Sequence, residues 1–173
     1  MRRGTLYLMA LTMACSLGAA GLGRADDLPR EAVLPLALAN KAAAATLEKC
    51  TRDGYRVTVA VVDRAGLLRT LMRGDGAGPH TIESSTKKAY TAASLRRPTS
   101  ELADMIAKVP ALQSLRDMNE KVLILGGGVP IEIGNEVVGG IGVGGAPGAH
   151  LDDACAQAGL DSMGLNPKSS GGK

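Results

Sequence analysis

Glu136-Val137-Val138-Gly139-Gly140-Ile141-Gly142-Val143-Gly144-Gly145 admits two readings, and the choice between them decides the fold. Gly140, Gly142 and Gly145 have the G-x-G-x-x-G spacing of a dinucleotide-binding turn. Such a turn needs a helix, a second strand and an acidic residue about 20 positions on to hold a ribose. Only 28 residues follow Gly145, too few for the rest of that unit, so the nucleotide reading fails. As a β-strand, the same residues alternate, with Val138, Gly140, Gly142 and Gly144 on one face and Val137, Gly139, Ile141 and Val143 on the other. One face is then bare backbone, against which a helix of the chain, a neighbouring copy or a planar ligand can lie.

Working outward, Val129–Gly134 and Lys121–Leu125 also read as strands, joined by Gly126-Gly127-Gly128 and, toward Glu136, by Asn135. Arg56–Asp63 is almost continuously apolar and β-branched, the pattern of a central strand covered on both faces. Asp63-Arg64-Ala65-Gly66 is a turn into Leu67–Arg73, which makes an antiparallel hairpin. Helices are predicted over a first segment with the stripe Leu36, Ala39, Ala43, Leu47 and Cys50, and from a cap at Thr81 to about Ser94. A short helix runs from Pro98-Thr99-Ser100 through Lys108, Pro110 interrupts, and a turn or two continues to Met118. The last helix spans about His150–Met163, with the stripe Leu151, Ala154, Cys155 and Ala158 facing inward. Asp152 and Asp153 stand in its first turn, where the helix dipole favours negative charge. Strands follow one another without a helix between each pair, so the class is α+β: a five-stranded, mainly antiparallel sheet flanked by helices.

The 173 residues and 17.7 kDa suffice for one domain. There is no Trp, no Phe and only three Tyr, which argues against nucleic acid as a partner because base stacking needs aromatic rings. The net charge of +3 comes from Arg2, Arg3 and Arg24 at the N-terminus; removing them leaves 17 Lys+Arg against 17 Asp+Glu. Residues 1–25 read as a cleavable signal peptide, with a positive start, an apolar run over Leu6–Leu17 and small residues before a cut after Ala25. Cys15 lacks the preceding Leu of a lipidated cysteine. No later segment is apolar and long enough for stable membrane insertion, so the expected location is periplasmic or secreted. Residues 28–163 form the domain, and 166–173 a disordered tail. In an oxidising compartment Cys50 and Cys155 are either a disulfide between the first and last helices or two buried thiols; the sequence leaves both open.

Val59-Ala60-Val61-Val62-Asp63-Arg64-Ala65-Gly66, the Arg73–Gly76 loop, Lys88-Ala89-Tyr90-Thr91-Ala92-Ala93, Gly126–Ile131 and Glu136–Val143 occur in an order that resembles the GlcG/HbpS family of haem-binding or haem-degrading domains. The chain is similar, too, to the C-terminal part of PduO-type proteins. The resemblance spans about Leu28–Met163. It implies haem as cofactor, assembly as a homo-oligomer, and an exported sensor or redox protein as a further partner. Gly142-Val143-Gly144-Gly145 departs from the family's Gly-Val-Ser-Gly, which removes one hydroxyl.

The strong iron ligands available are His80, His150, Tyr55 and Tyr90, with Met72, Met105 and Met118 as softer ones. His80 is the first choice: it lies in a Gly-rich loop before a helix, where an imidazole is accessible and backbone N–H groups can meet a propionate. Lys87, Lys88, Arg96 and Arg97 offer cations to propionates, although Glu83 stands four residues before Lys87 and can pair with it. Tyr90 is a stacking ring or a core residue, Thr99 a haem contact or a helix cap, and Gly140 and Gly142 the bare surface for a flat guest. No Ser/His/Asp chain, HExxH or Cys-x-x-Cys occurs, so no catalytic residues are assigned. Any activity would be oxidative degradation of haem itself. The reading that follows is an exported haem-binding protein for storage, transfer or protection. The alternatives are an organic-acid or corrinoid accessory protein or enzyme, and a ligand-free oligomeric module that binds another protein.

Overall fold

Thr58–Asp63 (β1) combines small and β-branched side chains, and it occupies the middle of a sheet because such residues tolerate cover on both faces. The computed structural model describes residues 28–164; the expected signal peptide and tail lie outside them. Residues 28–31 are exposed, and the compact unit begins at Ala32. The remaining elements are α1 (Leu36–Arg52), β2 (Leu68–Arg73), α2 (His80–Leu95), α3 (Thr99–Lys108), a 3-10 helix (Pro110–Asp117), β3 (Gly128–Ile133), β4 (Glu136–Gly144) and α4 (Ala149–Ser162). The sheet has the order β2-β1-β4-β3, and every pairing is antiparallel. At the β1–β2 turn, Asp63 Oδ1 accepts hydrogen bonds from the amides of Ala65 and Leu67, both 3.0 Å long. Gly66 supplies the positive φ of 74° that closes it.

The sheet therefore has four strands, not five. Lys121–Leu125 alternates like a strand, but Val122 and Ile124 cover Leu102 and Ile106 of α3, and the Leu123 amide donates to Thr91 Oγ1 at 2.8 Å. Its apolar residues are buried by a helix, and Leu123 bonds to a side chain instead of a ladder.

α1 and α4 cover one face of the sheet. Leu34, Ala39, Ala43, Val59, Val61, Ile131, Ile141 and Val143 are fully buried there with Cys50 and Cys155. The two cysteines form a disulfide with Cα atoms 5.6 Å apart. α2 covers the other face, over Ala60 and Val62. Two side chains break the expected registers. A bulge between Ile131 and Glu132 leaves Val138 out of the pairing and turns it into the α1–α4 core. On α4, Asp152, Cys155, Ala156 and Gly159 point inward while Ala154 is exposed, so the helix is rotated from the predicted stripe. Among the described residues no helix is long and apolar enough to cross a membrane.

Candidate functional site

α2 carries Ser85, Ala89 and Ala93 on the side that meets β4, and these small residues let its backbone touch the glycines. A Cβ placed on Gly142 would collide with the Ser85 carbonyl, and one on Gly140 with the Ala89 carbonyl. Gly128 on β3 lies equally close, with its Cβ position 2.5 Å from the Lys88 carbonyl. The surface expected to receive a flat ligand is thus filled by the chain's own helix. Gly140 and Gly142 are packing glycines, inaccessible to a cofactor.

The seam is also polar. Thr58 and Thr81 hydroxyls bond each other at 2.6 Å, and Thr81 Oγ1 donates to the Gly78 carbonyl at 2.6 Å. Thr81 is therefore inside α2 rather than its cap, and the helix begins at His80. Deeper in, Lys88 Nζ donates to Asp152 Oδ2 and to the Val143 carbonyl, both at 2.8 Å, with both side chains almost wholly buried. Asp152 Oδ1 accepts from the Ala146 amide at 3.1 Å, and the neighbouring Asp153 Oδ1 accepts from Gly127 at 2.6 Å. Burial pushes the Asp152 carboxyl above the ordinary 3.8, more than the Lys88 ammonium and the Ala146 amide pull it down. Lys88 is thus committed to an internal ion pair and is not available to a ligand.

His80 is exposed as the first residue of α2, its ring lying over Gly78. Lys87 sits seven residues on, along the same helical stripe, paired with Glu83 at 2.9 Å. Tyr90 is half-buried in the α3 cluster, its ring against Gly66 and the Lys121 ammonium 5.7 Å from its centroid, which is the core role. Thr99 is fully buried. Its hydroxyl accepts from the Gly128 amide at 2.8 Å, so it ties the start of α3 to β3. His150 is exposed at the start of α4, and Arg96 and Arg97 are exposed after α2. The predicted set is thus split: His80 and Lys87 share an accessible stripe, while Tyr90, Thr99, Gly140 and Gly142 belong to packing. Among the described residues no group of three or more His, Cys, Asp or Glu side chains is placed to hold a metal ion.

A cleft of about 430 Å³ opens elsewhere, where the end of α1 meets the exit of β2, lined by Leu47, Thr51, Tyr55, Arg56, Arg73 and Asp75 among others. Of these only Tyr55 was weighed as a ligand from the sequence. Arg56 and Arg73 are separated along the chain and stand together only once β1 and β2 pair.

A four-stranded antiparallel sheet, with one helix pressed on glycines and two on an aliphatic face, defines a small α+β domain with accessible groups at its ends. The chain belongs to the HbpS-like family: the model described as "Haem degrading protein HbpS-like" matches residues 34–161. It is 34% identical over 131 residues to an uncharacterized 15.0 kDa protein in the dhaT-dhaS intergenic region of Citrobacter freundii, covering 75% of this chain and 92% of the relative. Among solved structures, a double mutant of Streptomyces reticuli HbpS is 43% identical with a TM-score of 0.74, covering 83% of this chain and 96% of that one. A PduOC–heme complex is 26% identical with a TM-score of 0.73, covering 78% and 98% respectively.

Proposed function

We propose that this is an exported haem-binding protein acting in haem storage, transfer or protection, with haem held at the head of α2 and His80 as its iron ligand. The observation that carries the reading is the family match together with the similarity to a protein solved with heme bound. The residues present fit a surface-held group: His80 is exposed and neither ring nitrogen has a hydrogen-bond partner among the described residues. Lys87, on the same stripe, offers a cation to a carboxylate. His80 and Lys87 lie on an open stripe of α2, which leaves the outer side of a porphyrin uncovered. A second copy of the chain completes the site in this reading, which makes the working form a homo-oligomer. Bound haem supplies the redox chemistry of any degradation, and the protein supplies placement and exclusion of water. The Cys50–Cys155 disulfide supports export, because such bonds persist in oxidising compartments.

Titrating the purified protein with hemin tests this. A shifted Soret band saturating at stoichiometric hemin is expected, with His80→Ala weakening binding by about tenfold or more. No shift in the unaltered protein would refute haem binding, and an unchanged His80→Ala variant would refute the ligand.

A further inference from the structure

The cleft at the end of α1 holds charged groups of both signs that do not satisfy one another. Arg56 and Asp75 are exposed and make no hydrogen bond or ion pair among the described residues, nor do the hydroxyls of Thr51 and Tyr55. Arg73 donates through Nε and Nη2 to the Ala77 carbonyl, which fixes its guanidinium, and Nη1 has no partner among the described residues. The Arg56 guanidinium lies against Gly76, and the backbone that carries these groups is pinned on both walls. On one wall, the Tyr55 amide donates to the Cys50 carbonyl at 2.8 Å and Gly54 to Thr51 at 3.0 Å, directly beside the disulfide. On the other, Gly74 donates to Val57 at 2.9 Å and Ala77 to Gly74 at 3.1 Å, with Gly76 at a φ of 75°. Walls fixed before a ligand arrives lower the ordering cost of binding.

The volume of about 430 Å³ lies within the ~300–1,000 Å³ of ligand sites. Its chemistry does not suit a macrocycle, because Leu47 and the Tyr55 ring are the main apolar surface. The complement of two guanidiniums and one carboxylate is two carboxylates and one ammonium, and guanidinium forks match carboxylates in shape as well as charge. We propose that this cleft is a binding site for an acidic amino acid, held by Arg56 and Arg73 through its carboxylates and by Asp75 through its ammonium. The assignment stands apart from the haem reading and uses none of its residues.

Calorimetric titration with L-glutamate, L-aspartate, succinate and L-alanine tests it. Saturable binding of glutamate or aspartate is expected. Succinate, lacking the ammonium, and alanine, lacking the second carboxylate, should each bind about tenfold more weakly or worse. Arg56→Gln should weaken glutamate or aspartate by about tenfold or more with little change in Tm, since Arg56 makes no hydrogen bond or ion pair among the described residues and only lies against Gly76. Asp75→Asn should erase the preference over succinate. Absence of binding by all four compounds overturns the proposal, as does equal binding to the Arg56→Gln variant. A hemin titration of Arg56→Gln separates the two readings: it should match the unaltered protein, and loss of the Soret shift would give the cleft to haem instead.

Discussion

The two faces of the sheet are packed on opposite principles. Toward α1 and α4 lie Val59, Val61, Ile131, Ile141 and Val143, an aliphatic layer that keeps the helices at side-chain distance and is stapled by Cys50–Cys155. Toward α2 the sheet offers hydrogen where side chains would stand, and the helix descends until backbone meets backbone. The first face gains its stability from buried apolar area, at about 25 cal/mol per Å². The second has little such area to bury. It relies on close dispersion contacts and on a few polar ties, the Thr58–Thr81 bond and the Lys88–Asp152 pair. Shape errors should therefore be tolerated on the aliphatic face and punished on the glycine face.

The largest effect should come from adding one small side chain to the glycine face. Gly142→Val places atoms on the Ser85 carbonyl and the Ala89 amide, both helix backbone, so no rotamer change can relieve the clash. Overpacking of flexible cores costs about 1–3 kcal/mol, and this substitution should exceed that range and leave little folded protein by circular dichroism. Trimming Ile141→Val on the opposite face should cost only about 0.5–1.5 kcal/mol. Equal losses at the two positions would mean that the faces are not packed differently.

That asymmetry was legible in the sequence because glycine repeated at a period of two says what a face lacks. What fills the gap was not legible: a helix, another copy and a ligand all use bare backbone in the same way, and the small residues of α2 alone do not choose. Lys121–Leu125 misled because alternating Val122 and Ile124 serve equally for pairing in a sheet or for covering α3. Val138 was misplaced because one bulge inverts the faces beyond it. Asp152 reads only as a first-turn carboxylate favoured by the helix dipole, because its partner, Lys88, lies 64 residues earlier. The cleft was hidden for a similar reason, since Arg56 and Arg73 come together only through the β1–β2 hairpin.

Next in size is the polar tie. Lys88→Met removes one member of a buried pair and strands the Asp152 carboxylate, for an expected loss of about 3–5 kcal/mol in urea unfolding. Adding Asp152→Leu should recover most of it, because the remaining cost is of unpaired charge and not of lost attraction. If the double variant is no better than the single, the pair holds the α2 seam together by more than charge balance. On the aliphatic face, Cys50→Ser with Cys155→Ser opens a loop whose ends are 105 residues apart, with an expected loss of about 2–5 kcal/mol and a fold that otherwise persists.

The smallest effect is a pH dependence confined to the α2 side. Asp152 is held above its ordinary 3.8 by burial, against the pull of Lys88 and the Ala146 amide and with a small push from Asp153. A folded-state value above the unfolded one means that the native protein binds the proton more tightly. The stability linked to Asp152 is then complete below 3.8 and declines as the pH rises through the folded-state value. The quantity to measure is the difference in urea midpoint between the unaltered protein and the Lys88→Met, Asp152→Leu double variant from acid to neutral pH, which isolates the contribution of this pair. That difference should move against the unaltered protein as the pH rises. A drift in its favour would mean that the Lys88 ammonium outweighs burial and that the α2 seam is fastened by attraction after all.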